Sequence, residues 1–143
     1  SAFGARRHLI NAGGDIRASG ARQDGRPWTI AIQDPQKNGN FPGFLEMTHG
    51  AVAPSGSYEI YFDDQRVHHH IVDPDNGSSP HHSVSVTVRA PSVAEADALS
   101  TAVFVLPQAA GLGLIESLQS TEAFVVDHTG AMCRTNGWVA GAA

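Results

Sequence analysis

The stretch Ser83-Val84-Ser85-Val86-Thr87-Val88 constrains the fold more than any other part of this chain. Valines alternate with hydroxyl residues, the period-two signature of a strand with one apolar face. Pro91 and the pair Ser92 and Glu95 follow directly. Ser-x-x-Glu is a capping box, in which each side chain takes up a backbone N–H that the first helical turn would leave unpaired. Such a cap is worth about 1 kcal/mol. The spacing therefore predicts a helix over 94–106, with Leu99, Ala102, Val103 and Leu106 forming a core-facing stripe at i, i+3, i+4 and i+7.

The remaining pattern is mostly extended. Arg7 to Asn11, Ile16 to Ser19, Trp28 to Gln33, Phe44 to Thr48, and Ala123 to Asp127 with a return at Ala131 to Arg134 read as strands. Trp28, Ile30 and Ile32 form one buried face. Asp34 to Asn40 is a loop by composition. His49 to Gly56 is rich in small residues, which either let another backbone or a ligand come close or simply make a connection. Tyr58, Ile60 and Phe62 alternate with polar neighbours, and Val67, Ile71 and Val72 are β-branched, so 57–72 reads as a hairpin. A second helix is expected over 111–118, and the small-residue tail from Val139 is expected to fray. Strands, then two helices, then two strands predict one α+β domain: a largely antiparallel sheet with helices on one face.

Three groups of residues carry possible chemistry. Within His68-His69-His70, His68 and His70 share one side of an extended chain and His69 the other. Asp73-Pro74-Asp75-Asn76-Gly77 after them is a turn. A histidine beside an aspartate at the end of a strand suits proton transfer; it equally suits a structural role. Gly13-Gly14-Asp15 is either a hairpin turn or a nest of N–H groups for phosphate oxygens. Asp97 and Thr101 stand at i, i+4 on a helix face away from the apolar stripe. They are either an exposed polar pair or two oxygen ligands for a hard cation such as Mg2+, which keeps waters or phosphates as its other ligands.

Composition removes several function classes. The 143 residues carry a formal net charge of -5 and show no basic patch, which argues against nucleic acid or an anionic membrane as partner. Cys133 is the single cysteine, so there is no intrachain disulfide and no cysteine zinc site. No apolar run reaches the roughly 18 residues of a transmembrane helix. Ser1 is not an initiator methionine, which leaves the natural start open.

Asn11-Ala12-Gly13-Gly14-Asp15-Ile16, Ser55-Gly56-Ser57-Tyr58, His69-His70-Ile71-Val72-Asp73-Pro74 and Ala96-Asp97-Ala98-Leu99-Ser100-Thr101 occur in that order. Together they resemble the FAD:protein FMN transferase family, the ApbE-type flavin transferases, over about residues 7 to 130. The resemblance implies an α+β fold of T-fold-like halves. It also implies FAD and Mg2+, with transfer of the FMN half to a threonine hydroxyl of a flavin-accepting target protein and release of AMP. Some members of such a family instead hydrolyse FAD to FMN and AMP.

Carried over by motif, His70 matches the catalytic histidine, and Asp97 and Thr101 match the metal ligands. Gly13, Gly14, Asp15, Ser55, Gly56 and Tyr58 lie on segments that help enclose FAD, and His69 and Asp73, which flank the catalytic position, are expected to bind the cofactor as well. Pro54 stands where threonine is common, and Asn76 where the turn usually has threonine. Family members are longer and carry an earlier half with a Lys-Gly-Tyr segment. Residues 1–143 are thus expected to be the C-terminal half, with the other half possible on a second chain. A non-catalytic remnant that binds FAD or packs against a partner is the contrasting reading. A structural metal site at His68 and His70 is a third.

Overall fold

A computed structural model describes residues 4–139 and 141. Its centre is a six-stranded antiparallel sheet in the order β1-β2-β5-β6-β7-β8. The strands are β1 (His8–Ala12), β2 (Asp15–Ser19), β5 (His49–Gly56), β6 (Ser85–Ala90), β7 (Glu122–Val126) and β8 (Met132–Arg134). A separate ribbon pairs β3 (Trp28–Ala31) with β4 (Phe44–Met47). Helices α1 (Val93–Val105) and α2 (Gln108–Glu116) complete the chain. The α+β architecture with both helices on one face is the one expected from sequence.

The sheet has a core on each side. On the helix side, Ala51, Ala53, Val86, Val88, Ala123 and Val125 meet Ala96, Val103, Phe104 and Ile115. On the other side, Ile16, Ala18, Val52, Phe124 and Val126 meet Ile30, Ile32, Leu45 and Met47 of the ribbon, with Trp138 closing the end. The ribbon explains why Ser85 and Thr87, on the hydroxyl face of the best-patterned strand, are buried as well.

The β1–β2 connection is the hairpin turn. Gly13 and Gly14 both take positive φ, 69° and 112°, as the turns that match strand twist require. Gly14 N–H donates to Asn11 Oδ1 at 2.9 Å, so that amide is already engaged within the turn.

The small-residue stretch 49–56 is a strand rather than a loop: β5, which pairs with β2 and β6. Ala51, Ala53 and Ser55 alternate on the helix side, and their small size lets α1 come close. That approach rotates the buried stripe of α1 from the one expected. Ala96, Ser100, Val103 and Phe104 are buried, while Leu99, Ala102 and Leu106 are half-buried. Both arms of the capping box are present at Ser92 and Glu95. Helix α2 begins three residues earlier than expected, directly after Pro107.

The expected hairpin over 57–72 is absent as a pair of strands. The segment does fold back on itself, but only one isolated bridge forms, between Tyr61 and His69. The Asp63 carboxylate accepts from the N–H groups of Val67 and His68, and Arg66 sits at φ 57°. Local side-chain bonds of this kind compete with a ladder. Ile60, Phe62, Val67 and Val72 are exposed as a result, and only Ile71 joins the core.

The C-terminal tail is anchored where it is described. Trp138 is buried against Phe124, and Gly141 N–H donates to the Phe44 carbonyl at 2.8 Å. Val139 is exposed; the rest of the fraying expected there falls on residues 140, 142 and 143, outside the described residues.

Candidate active site

The end of β5 gathers two of the three groups named from sequence. Asp15 opens β2 on the helix side of the sheet. Burial, and then the nearby Asp97 carboxylate, raise its pKa above the usual value near 3.8. Neighbouring like charges favour protonation or a cation. Among the described residues neither carboxylate has an ion-pair partner.

Thr101, one turn beyond Asp97, is exposed, and its Oγ1 lies 3.0 Å from Ser55 Oγ. Ser55 Oγ also lies 2.8 Å from Ser100 Oγ. Two carboxylates and a hydroxyl form an all-oxygen donor set, the chemistry a hard cation selects. No three His, Cys, Asp or Glu side chains cluster to hold a metal among the described residues. A cation here would therefore rest on Asp97, Thr101 and the neighbouring Asp15, with water or phosphate oxygens as its remaining ligands.

The histidine segment is held at the far end of α1. His69 is 2% exposed. Its backbone N–H donates to Ser79 Oγ at 2.9 Å, and its carbonyl accepts from the same hydroxyl at 2.8 Å. Its Nε2–H donates to the Pro80 carbonyl at 3.0 Å. Nδ1 is then an unprotonated acceptor, and it has no partner among the described residues. Burial pulls the His69 pKa below its ordinary 6.5; the Pro80 carbonyl opposes this, and His81 and His70 add to it.

His70 points the other way and is exposed, so the expected alternation of faces holds without a strand. The nearest acceptor to its Nδ1 is the Ile60 carbonyl at 3.4 Å, and its backbone N–H donates to the same oxygen at 3.3 Å. A proton on Nδ1 leaves the Nε2 lone pair open to accept.

Asp73 belongs to its turn. Its carboxylate accepts from Asp75 N–H at 2.9 Å and from the Asn76 amide at 2.6 Å. Gly77, at φ 72°, donates its N–H to the Asp73 carbonyl. Asp73 thus shapes the loop after His70 and makes no bond to the ring.

Tyr58 lies apart from these groups. A Cβ on Gly56 would overlap its ring, with Cζ only 2.7 Å away, so glycine is what lets the ring lie across the backbone. Burial raises the Tyr58 pKa; its hydrogen bond with Ser85 works against this, and Glu59 adds to it. The ring borders a cleft of about 510 Å³ that also involves Phe41, Tyr61, Arg66 and His128. Neither His70 nor the Asp97–Thr101 pair lines that cleft.

Sequence reasoning missed Ser100, Phe104 and the Ile60 carbonyl. Ser100 lies inside the motif between Asp97 and Thr101, but the apolar stripe expected for the helix left it out, so its burial had no signal. The Ile60 carbonyl had no signal, since backbone placement in an irregular loop leaves no residue pattern.

The family model described as "ApbE family" matches residues 1–125. The FAD:protein FMN transferase of Haemophilus influenzae is 37% identical over 116 residues, covering 78% of this chain and 34% of that protein. The Escherichia coli protein of the same name is 37% identical over 106 residues, covering 72% and 30%. The chain thus spans about a third of the length of these relatives. Among solved structures, the ApbE protein of Thermotoga maritima superposes with a TM-score of 0.84 at 34% identity, over 94% of this chain and 45% of that one. The flavinyl transferase ApbE of Pseudomonas stutzeri gives 0.72 at 34% identity, over 94% and 41%. Motif order, fold and these likenesses agree, and the chain belongs to the ApbE family.

Proposed function

We propose that this chain is the C-terminal, chemistry-bearing half of an FAD:protein FMN transferase. It would move FMN from FAD to a threonine hydroxyl of a target protein, with Mg2+ as cofactor and AMP as the leaving product. The observation that carries this reading is the exposed pair Asp97 and Thr101, one turn apart on α1, with the Thr101 hydroxyl on Ser55 at the end of β5 and Asp15 on the neighbouring strand. The relatives' names supply the reaction class.

In the proposed reaction the threonine oxygen bonds to the FMN-side phosphorus of the pyrophosphate. The bond from that phosphorus to the bridging oxygen breaks, and AMP carries that oxygen away. His70 Nε2 takes the threonine proton. A positioned base of this kind contributes about 10²–10⁴ in rate. Mg2+ at Asp97 and Thr101 would supply positive charge to the phosphoryl oxygens as negative charge builds on them. Buried His69 fixes the loop from which His70 projects. Gly13 and Gly14 let the hairpin turn and bring Asp15 to the start of β2, and Gly56 lets the Tyr58 ring border the separate cleft. The part of the family fold beyond this segment, on the same or a second chain, completes the flavin site.

The test is incubation of the purified chain with FAD, Mg2+ and a threonine-bearing acceptor peptide, following AMP and peptide mass. AMP together with an FMN-sized mass gain supports the reading. AMP without peptide modification identifies an FAD pyrophosphatase. FAD binding without AMP identifies a non-catalytic remnant or a half-site.

A further inference from the structure

The hydroxyls around Thr101 have a hydrogen-bond order that can be counted. Each serine or threonine hydroxyl carries one proton and two lone pairs. Ser100 Oγ lies 2.9 Å from the Asp97 backbone carbonyl, an oxygen that can only accept, so the Ser100 proton goes there. Ser100 Oγ must then accept in its 2.8 Å bond to Ser55, which makes Ser55 the donor. With its proton so engaged, Ser55 must accept in its 3.0 Å bond to Thr101. The Thr101 proton therefore points inward at Ser55, and its lone pairs are left for the solvent side, beside Asp97.

We infer that Ser55 and Ser100 are positioning residues that present Thr101 as a cation ligand, through the directed chain Thr101 to Ser55 to Ser100 to the Asp97 carbonyl. A hydroxyl ligates a cation through a lone pair, so a Thr101 whose proton faced outward would meet the ion with the wrong end. Burial holds the order in place. Ser100 is 0% exposed and Ser55 8%, so little water is at hand to substitute for either partner. Both serines come from elements fixed by the core: Ser55 follows Ala51 and Ala53 on the helix side of β5, and Ser100 lies between Ala96 and Phe104 on the buried stripe of α1. The same count gives Ser55 a role different from flavin contact, because its hydroxyl is directed into α1. This inference rests on the proposed cation site and adds how that site is oriented.

The experiment measures Mn2+ affinity of the whole chain by titration, reading free Mn2+ by electron paramagnetic resonance. It compares wild type, Ser55→Ala, Thr101→Val and the double variant, with thermal melts confirming that each is folded. The expected result is about a three- to tenfold loss of affinity for Ser55→Ala, the scale of one neutral hydrogen bond. Thr101→Val loses at least as much, and the double variant no more than Thr101→Val alone, because Ser55 acts only through Thr101. Additive losses would overturn the inference by making Ser55 an independent structural contributor. An unchanged Ser55→Ala affinity beside a weakened Thr101→Val would overturn it while leaving the cation site standing. Absence of Mn2+ binding by wild type would overturn the site and the inference together.

Discussion

The His69 ring stands edge-on to Phe104 of α1, with centroids 5.5 Å apart and planes at 88°. Tyr61 and His81 meet it in the same manner at 6.2 and 6.0 Å. The histidine loop has little regular structure, so this aromatic seat, together with Ser79 and Pro80, is what ties it to the helix carrying Asp97 and Thr101. A neutral imidazole suits the seat; an imidazolium would be a buried charge without a carboxylate partner.

Acid should therefore loosen this fold through His69. Burial lowers its folded pKa below 6.5, while the unfolded chain titrates near the ordinary value. Below that value the unfolded state binds a proton that the folded state refuses, so this contribution to stability is full above about pH 6.5 and is lost as pH falls. His69→Phe should flatten the fall in melting temperature between pH 7.5 and 5.5. An unchanged pH profile in that variant would remove His69 as the source.

His70 should behave differently from its neighbour. It is exposed, and its ring meets the Ile60 carbonyl in a long approach and the His69 ring edge-on. His70→Ala is expected to cost within about 0.5 kcal/mol of stability, as for other surface changes. On the proposed function, flavin transfer should fall by about 10²–10⁴ while FAD binding is kept. Retained transfer at the wild-type rate would sink the proton-transfer assignment, and fluorescence titration of FAD reports the binding arm.

Gly56→Ala should destabilise by about 1–3 kcal/mol, the usual cost of forcing extra volume into a packed site. The cause is the Tyr58 ring, which the new methyl would overlap. In a Tyr58→Ala background the same change should be close to neutral. Urea denaturation of the four proteins gives the coupling directly, and equal costs in both backgrounds would place the strain elsewhere.

What could be read in advance followed how local its cause was. Ser92 and Glu95 satisfy each other within one helical turn, so the start of α1 was legible from the residues alone. The β1–β2 turn was legible as one of two options, because paired glycines after a strand suit a tight turn and a nest of N–H groups alike. Strand β5 was ambiguous since Pro54 and a run of small residues suit a connection. Pro54 is tolerated because the β2 ladder ends at Val52 and Gly14 leaves room for its ring, 3.2 Å from where a Cβ would sit. Residues 57–72 misled because their apolar alternation matched a strand, whereas the Asp63 carboxylate gave the backbone amides a nearer partner. For the candidate site, motif order put Asp97, Thr101 and His70 on the page. It could not reveal that Ser100 is buried against Ser55, a contact between residues 45 apart in sequence.

The strongest consequence of the Asp15–Asp97 relation concerns its sign. With no cation present, two neighbouring carboxylates oppose folding, so Asp97→Asn should leave the metal-free protein as stable as wild type or slightly more so. With a cation present the order reverses. A ligand that binds only the folded state raises stability by RT ln(1 + [L]/Kd), so the wild-type melting temperature should climb steadily with Mg2+ concentration. Asp97→Asn removes one charged ligand and should show little or no climb. Melts across a Mg2+ series at constant ionic strength separate this from general screening, which would act on both proteins alike. A wild-type melting temperature indifferent to Mg2+ would remove the cation from the site. A metal-free Asp97→Asn protein far less stable than wild type would mean that Asp97 has a structural role, and that the two carboxylates are not held in repulsion.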